Sequence, residues 1–423
     1  MVIDLPGITL RPAQDADLNQ VVSLERLCFA PTQSDADIQQ AWFSQGLNRP
    51  GRQQMLALDA ASGEAIGTYA QLDLQIFLEG QDLPAKGIAG LAVAPHRRGQ
   101  RVARFLIEQS LKAFQAAGQQ GNGSPVPLVM LYPFRHAFYR RLGWAWVGRV
   151  HQYAVAPESI PAYPERHNVV PYQAETHEQA LYDTYLRSAS RHNGWLRRQV
   201  LQWEMRLRPE PGKVIYCYEE AGKLLGYVIL QFGQTGDRCT TVSILEWVAV
   251  NVDAYRGILG FLSSLRDQVS TIFWNTYPED PFPHLLEEQR QAHTHAPLFS
   301  IVPPFGQIGG GFMWRLVDLA AAFRLRPVHA GPPFILTFQV RDPILGNQTI
   351  TANFTAGRMH PVSQPVPAVV TTSIEHLTEM FCGMRRPTEL LWTREIEFEG
   401  DRALLQRLEA AWQCIPPFCW DVF

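Results

Sequence analysis

The chain has 423 residues, a formal net charge of -3, 46% hydrophobic residues and 18% charged residues. This composition excludes a disordered chain and offers no global basic field for nucleic acid. At roughly 150 residues per domain, about three domains are expected.

The start, MVIDLPGITLRPAQDAD, lacks the basic n-region and apolar h-region of a secretory signal. No apolar run reaches the roughly 18 residues of a membrane span, so a cytoplasmic chain without a membrane span is expected. Residues 16–29 carry apolar residues at helical spacing. QQMLALDA and AIGTYAQLDLQIF then read as a hairpin turning at SGE, and GIAGLAVA as a short buried strand. VARFLIEQSLKAFQAAG reads as a helix stopped near Gly118, and VPLVMLY as another buried strand. The order then repeats. KVIYCYEE and LLGYVILQF form a hairpin in which Gly222 and Gly226 answer to Gly63 and Gly67. EWVAV follows, then a helix AYRGILGFLSSLRDQ and a strand TIFWNTY. Two copies of one α/β unit is the economical reading. Beyond residue 298 the texture changes. PPFILTFQVRDP and NQTITANFTAGR predict a hairpin, SIEHLTEMFCGM and DRALLQRLEAAW predict helices, and residues 363–369 predict a loop. The expected units are 1–150, 151–297 and 298–423.

The strongest chemical signal is LAVAPHRRGQRVARFL, residues 91–106. A strand runs through Leu91, Ala92 and Val93 to Pro95, then a short basic turn opens a helix. Unpaired N–H groups at a helix N-terminus cradle pyrophosphate. Arg97, Arg98 and Arg101 add charge suited to a multiply phosphorylated ligand. Arginines oppose the dipole at a helix start, so a plain structural cap would not favour them. The matching turn of the second copy, VAVNVDAYRGILGFL, carries Asp253 and no arginine cluster. It is expected not to bind phosphate and to wall the substrate pocket instead.

The first turn resembles the acetyl-CoA loop of the GCN5-related N-acetyltransferases (GNAT), whose pattern is [QR]-x-x-G-x-[GA]. Arg98, Gly99, Gln100, Arg101, Val102 and Ala103 supply it, with Arg101 in place of the middle glycine. A helical φ at Arg101 would let its N–H serve the phosphates. The further strings LYPFRHAFYRRLGW and YPEDPFPHLLEEQR, with the degenerate second copy and the third unit, resemble the enhanced intracellular survival (Eis) family across essentially the whole chain. That resemblance implies α/β and α+β architecture: two tandem GNAT-like domains, the second degenerate, and a sterol-carrier-protein-like C-terminal domain. It implies acetyl-CoA as co-substrate, with Phe134 and Arg135 beside its pantetheine arm. It also implies a homo-oligomer, a hexamer, and aminoglycoside- or polyamine-like amines as acceptors.

By the same resemblance a main-chain N–H near Leu91 to Val93 polarises the thioester, and Tyr139 acts as general acid. A phenol with a pKa near 10 is protonated at neutral pH and can donate. The tail PPFCWDVF is the last element. The resemblance makes the main-chain carboxylate of Phe423 the base, with Asp421 as a candidate assistant. Without it, Trp420 and Phe423 read as a packing anchor. Other candidates are weaker. His293 and His295 have no partner at metal-ligand spacing. GQIGGGF, residues 306–312, lacks the Lys-Ser/Thr of a P-loop and reads as a flexible turn. The six cysteines contain no CxxC pair, so no zinc or redox site is expected. Two alternatives stay open: a protein lysine N-acetyltransferase and a non-enzymatic lipid-binding protein.

Overall fold

A computed structural model describes residues 5, 7–119, 125–235, 239–290 and 304–423. His293 and His295 lie outside them. In the first unit β1 (Ile8–Pro12) precedes α1 (Leu18–Phe29) and α2 (Asp35–Trp42). A meander follows of β2 (Arg52–Asp59), β3 (Ala65–Leu78) and β4 (Gln81–Val93), then α3 (Val102–Gln119), β5 (Leu128–Leu131), α4 (His136–Arg140) and β6 (Ala145–Trp146). The second unit holds β7 (Arg149–Val155), β8 (Val169–Pro171), α5 (Ala174–Ala189), α6 (Val200–Leu207), β9 (Lys213–Glu220), β10 (Lys223–Thr235), β11 (Cys239–Ala249), α7 (Val252–Ser263) and β12 (Val269–Thr276). The remainder runs β13 (Gly306–Gly310), β14 (Met313–Leu316), α8 (Leu319–Leu325), β15 (Phe334–Arg341), β16 (Gln348–Thr355), β17 (Arg358–Val362), β18 (Val369–Ser373), α9 (Ile374–Phe381), α10 (Pro387–Trp392), β19 (Glu397–Glu399) and α11 (Arg402–Trp412).

Local chemistry explains many of these boundaries. Ser34 accepts from the Asp37 N–H while Asp37 reaches back to Ser34, a capping box that starts α2. Asn251, Ser373 and Asp401 cap α7, α9 and α11 by accepting from a first-turn N–H, without the reciprocal bond. The helix expected through residue 268 stops at Ser263. There the Ser264 hydroxyl donates to the Phe261 carbonyl at 2.6 Å, competing with the helical ladder.

Three sheets result: β1-β2-β3-β4-β5-β14-β6, β13-β7-β12-β11-β10-β9-β8, and β17-β16-β15-β18-β19. The first two share a meander followed by a parallel crossover through a helix. This is the expected pair of similar α/β units with a third α+β unit. GQIGGGF is not a loose turn. Its glycines form β13, antiparallel to β7, where a Cβ on Gly306 would stand 2.7 Å from the Tyr153 ring. The lack of side chains lets the two strands close. β14 then inserts between β5 and β6, so residues 306–316 complete the first two sheets although they were counted with the third unit.

One face of the first sheet packs on α3 through residues such as Ile88, Val129 and Leu131. The other face, with Leu72, Leu74, Leu128 and Met130, joins a core that runs into the third unit through Phe323, Phe338 and Trp412. Arg315, fully buried on β14, donates to Asp342 at 2.6 Å and to the Leu142 carbonyl at 3.0 Å, fixing the third unit to the first.

Candidate active site

The site begins where two strands part. β4 pairs in parallel with β5 only as far as Ile88 and Leu131. Beyond that point residues 89–93 keep β3 on one edge and face a wedge on the other. The β3 register jumps from Thr68 opposite Ala92 to Ala70 opposite Ala89, so Tyr69 faces both Gly90 and Leu91. This bulge, with Gly90 at φ +57°, turns main-chain groups toward the wedge.

After Val93 the chain makes a one-turn helix over Pro95–Arg97 and a tight turn into α3. Arg98, Gly99, Gln100 and Arg101 are exposed there. Gly99 has φ +79° and Arg101 φ +65°. The helical φ expected at Arg101 is therefore not what the chain adopts: the residue takes the left-handed turn that a glycine would take more easily. Its carbonyl still accepts from Phe105 N–H at 3.0 Å, leaving the first N–H groups of α3, those of Val102 and Ala103 included, at the turn. The arginines differ in their duties. Arg97 is held by Asp59, whereas Arg98 lies over Cys28 with Nη2 3.7 Å from Sγ.

Across the wedge, Arg135 is the extended residue that opens α4. Phe134 is exposed, with its ring 5.5 Å from that of Tyr139. Tyr139 is buried against Phe138 and Trp144, and its carbonyl accepts from Leu142 N–H at 2.8 Å. Burial pushes its phenol above the ordinary value, so it stays protonated at neutral pH.

The second copy repeats the parting of strands, since β11 leaves β12 after Ile244 and Trp274. Here the gap is filled. Phe282 stacks on Trp274 at 3.9 Å, Trp274 meets Trp247 at 4.5 Å and Trp247 meets Tyr255 at 4.9 Å. Asp280 accepts from Tyr255, Thr276 and the Phe282 N–H, pinning the YPEDPFPHLL string in place. The segment around Tyr163 and Glu165 lies on Gly257 and Gly260 of α7, with Arg256 over the Tyr163 ring.

The C-terminal segment runs from the third unit between the other two. Phe418 N–H donates to the Asn193 carbonyl, and Phe418 and Trp420 join the core of the second unit. Asp421 is an anchor. It accepts from Arg198 at 2.8 Å and lies 3.7 Å from Arg206; both guanidinium groups also pair with Glu246, which Tyr227 serves as a donor. Burial alone would push Glu246 up, but the two arginines hold it below its ordinary value. The Tyr132 hydroxyl donates to the Asp421 carbonyl at 2.7 Å. The Phe423 ring meets Tyr132 at 5.6 Å and comes within 3.1 Å of a Cβ built on Gly87. Phe423 borders a cavity of about 180 Å³ lined by Leu72, Met205, Arg206, Lys213 and Leu245, with Glu210 at its side.

The predicted residues thus gather around the wedge. Leu91, Ala92, Val93 and the turn stand on one side and Phe134, Arg135 and Tyr139 on the other. Tyr139 packs on the α3 face of the sheet, while Phe423 lies on the opposite face. Asp421, expected as a catalytic assistant, is spent on Arg198 and Arg206. Sequence reasoning missed Arg198, Arg206, Glu246 and Tyr132. Arg198 adjoins Arg197, which makes an exposed pair with Asp82, and nothing in the string tells the two apart.

Comparison with known proteins bears on this geometry. Residues 9–147 and 190–316 each match the acetyltransferase (GNAT) domain pattern, and residues 319–420 match the sterol carrier protein domain. The chain is 25% identical over 367 residues to N-acetyltransferase Eis of Mycobacterium tuberculosis (strain ATCC 25177 / H37Ra), covering 82% of this chain and 83% of that one. The same figures hold for N-acetyltransferase Eis of Mycobacterium bovis. A GCN5-related N-acetyltransferase structure from Anabaena variabilis aligns with a TM-score of 0.83 at 20% identity, covering 98% of this chain and 100% of that one. Eis1 from Mycobacterium abscessus aligns with a TM-score of 0.75 at 18% identity, covering 98% and 100%.

The left-handed Arg101 generates a prediction. Arg101→Gly should raise stability by about 1 kcal/mol, read by urea denaturation, because a Cβ in that conformation is strained. An unchanged or lowered midpoint would mean the arginine side chain makes good the strain.

Proposed function

For a chain built as an Eis-like N-acetyltransferase of the GNAT superfamily, with a degenerate second copy and a sterol carrier domain, we propose direct transfer of acetyl from acetyl-CoA to a small primary amine in a ternary complex. One observation carries the reading: β4 parts from β5 beside the small residues Ala89, Gly90 and Ala92, while the matching parting in the second copy is packed with aromatic rings. In this reading the first copy takes the thioester between its strands and the second does not.

In this reading the acetyl-donating substrate lies with its phosphates at the turn of Arg98, Gly99, Gln100, Arg101, Val102 and Ala103. Leu91, Ala92 and Val93 offer N–H groups where negative charge develops on the carbonyl. Phe134 and Arg135 flank the pantetheine arm. Tyr139 donates to the departing thiolate, and its raised pKa keeps the proton available. The Phe423 main-chain carboxylate takes a proton from the amine on the other side of the sheet. Its support is the fixed tail: Asp421 is clamped two residues earlier, and the Phe423 ring is held by Tyr132. The cavity beside Phe423 has largely apolar walls and paired charges. That favours a small amine over an extended lysine peptide. The hexamer and the cytoplasmic setting stay part of the proposal on the family resemblance alone.

Purified protein assayed with acetyl-CoA against aminoglycosides, polyamines, simple alkyl amines and lysine peptides tests the function. Turnover of small amines supports it; turnover of peptides alone would replace it with the protein-acetylating alternative. Tyr139→Phe should lower kcat by about 100-fold or more while acetyl-CoA affinity stays the same. Unchanged kcat would remove Tyr139 from the chemistry. Adding a few residues after Phe423 should abolish most amine acetylation while leaving acetyl-CoA binding intact. A fully active extended protein would show that the terminal carboxylate is not the base.

A further inference from the structure

A second carboxyl group stands beside the wedge. Glu25 lies on α1, buried, with Oε1 3.3 Å and Oε2 3.8 Å from a Cβ built on Gly90. Gly90 belongs to the bulge of β4, so the carboxyl group stands over the strand whose unpaired edge faces the wedge. It shares a sheet face with Phe423, whose ring lies over Gly87, about 10 Å away along β4. Glu25 and the Phe423 ring therefore bracket, on one face, the point where β4 leaves β5.

The surroundings of Glu25 are ordered and largely uncharged. Gln54 Nε2 donates to Oε1 at 3.0 Å and to Thr68 Oγ1 at 2.7 Å, and the Thr68 hydroxyl donates to the Met55 carbonyl at 2.7 Å. Gln54 is oriented in turn by Arg52, whose Nη2 donates to its Oε1 at 2.8 Å. Among the described residues no donor reaches Glu25 Oε2. From β2, Arg52 is the charged group that faces Glu25, with Arg49 behind it. β3 and β4 present Thr68 and Gly90. On α1 itself the next residue, Arg26, is taken by Asp35 of α2, while Asp37 turns to Ser34. Cys28, one turn on, lies under Arg98, and Asp17 before the helix is taken by Arg11.

Resting on the acetyltransferase reading above, we propose that Glu25 is a second proton acceptor of the site, taking the ammonium proton of the incoming amine through one water. An acceptor amine arrives as RNH3⁺ and cannot attack until it loses one proton. That proton goes to the Glu25 carboxylate. The freed nitrogen lone pair then forms the C–N bond to the thioester carbon. The nitrogen gives its second proton to the Phe423 carboxylate as the C–S bond breaks and Tyr139 protonates the sulfur. Tyr139 recovers a proton from Phe423, and Glu25 releases the other to solvent. The sum is RNH3⁺ plus acetyl-CoA giving the amide, CoA thiol and one proton.

The chemistry suits the group. Burial pushes the Glu25 carboxyl up to about 7, with Arg52 and Gln54 only partly offsetting it. An α-carboxyl has a reference value near 3.5, far from any free amine. A carboxylate poised near neutrality is a far better match for a proton removed at physiological pH. Its cost shows in the linkage. Because the folded-state value is raised, its contribution to stability is fully present below the usual carboxylate range and is lost as pH rises through about 7.

Glu25→Gln keeps the volume, and its amide oxygen can accept from Gln54 Nε2 as the carboxylate does. Wild-type kcat/KM for a small amine should fall about tenfold per pH unit below about 7. The variant should lose that limb and be about 100-fold slower at pH 7.5, with acetyl-CoA affinity within about twofold of wild type. Glu25→Asp should recover part of the rate. A Gln variant with an unchanged profile and rate overturns the inference while leaving the acetyltransferase reading intact. A second readout needs no acceptor. In protein labelled with ¹³C at glutamate carboxyls, the resonance lost in Glu25→Gln is titrated with and without saturating acetyl-CoA. A midpoint near neutrality that acetyl-CoA moves supports the placement even if no tested amine is acetylated. A resonance indifferent to acetyl-CoA overturns it.

Discussion

Arg198, Arg206, Glu246 and Asp421 meet out of water, two guanidinium groups against two carboxylates. Their formal charges cancel, so the cluster tolerates burial that a lone member would not. Each comes from a different part of the chain: the approach to α6, α6 itself, β11 and the tail. The cluster therefore does more than join two elements. It fixes where the last residues lie, and with Tyr132 on the Asp421 carbonyl it holds Phe423 against the face of the first sheet. Removing one member would leave a buried charge, a loss of about 3–5 kcal/mol. The position of the proposed base thus depends on an ion cluster centred in the unit whose own gap is filled with aromatic rings.

The two α/β copies show how one topology yields different surfaces. Both part their parallel strands after four or five rungs, and both place a bulge on the strand before the helix. In the first copy small residues flank the gap: Ala89, Gly90 and Ala92. In the second the equivalent region carries Trp247, and Trp274, Tyr255 and Phe282 complete the plug. Aromatic stacking of this kind contributes about 0.5–1.5 kcal/mol per pair beyond burial. This packing thus stabilises the unit that holds Arg198 and Glu246. The packing of the second copy and the position of the tail on the first are linked through the Arg198–Asp421 contact.

Much of the fold was legible in the order of residues. The meander, the crossover helix and its repeat follow from alternation and helical spacing, and the turn from Val93 to Val102 carries its own glycine and arginines. Tyr139 was legible through a string, FYRRLGW, whose glycine has φ +83° and ends a short helix. Other features were not. GQIGGGF looked like a turn because glycine suits turns, yet here it allows strand contact with Tyr153 and Gly148. Arg97 looked like a phosphate ligand, but Asp59, far along the chain, claims it. Glu25 sits in a helix among ordinary polar residues, and only its neighbours on β2, β3 and β4 reveal a buried carboxyl group.

The sequence by itself determined the class of elements, their order, and the basic, glycine-containing character of the turn before α3. These are local properties: hydrophobic period, capping and φ preference act over a few residues. The tertiary structure decided which charges are spent and which remain for chemistry. Pairing, desolvation and the filling of a gap depend on residues hundreds of positions apart. No local pattern states that Asp421 will meet Arg198, or that Glu25 will lie under the bulge of Gly90 beside the wedge.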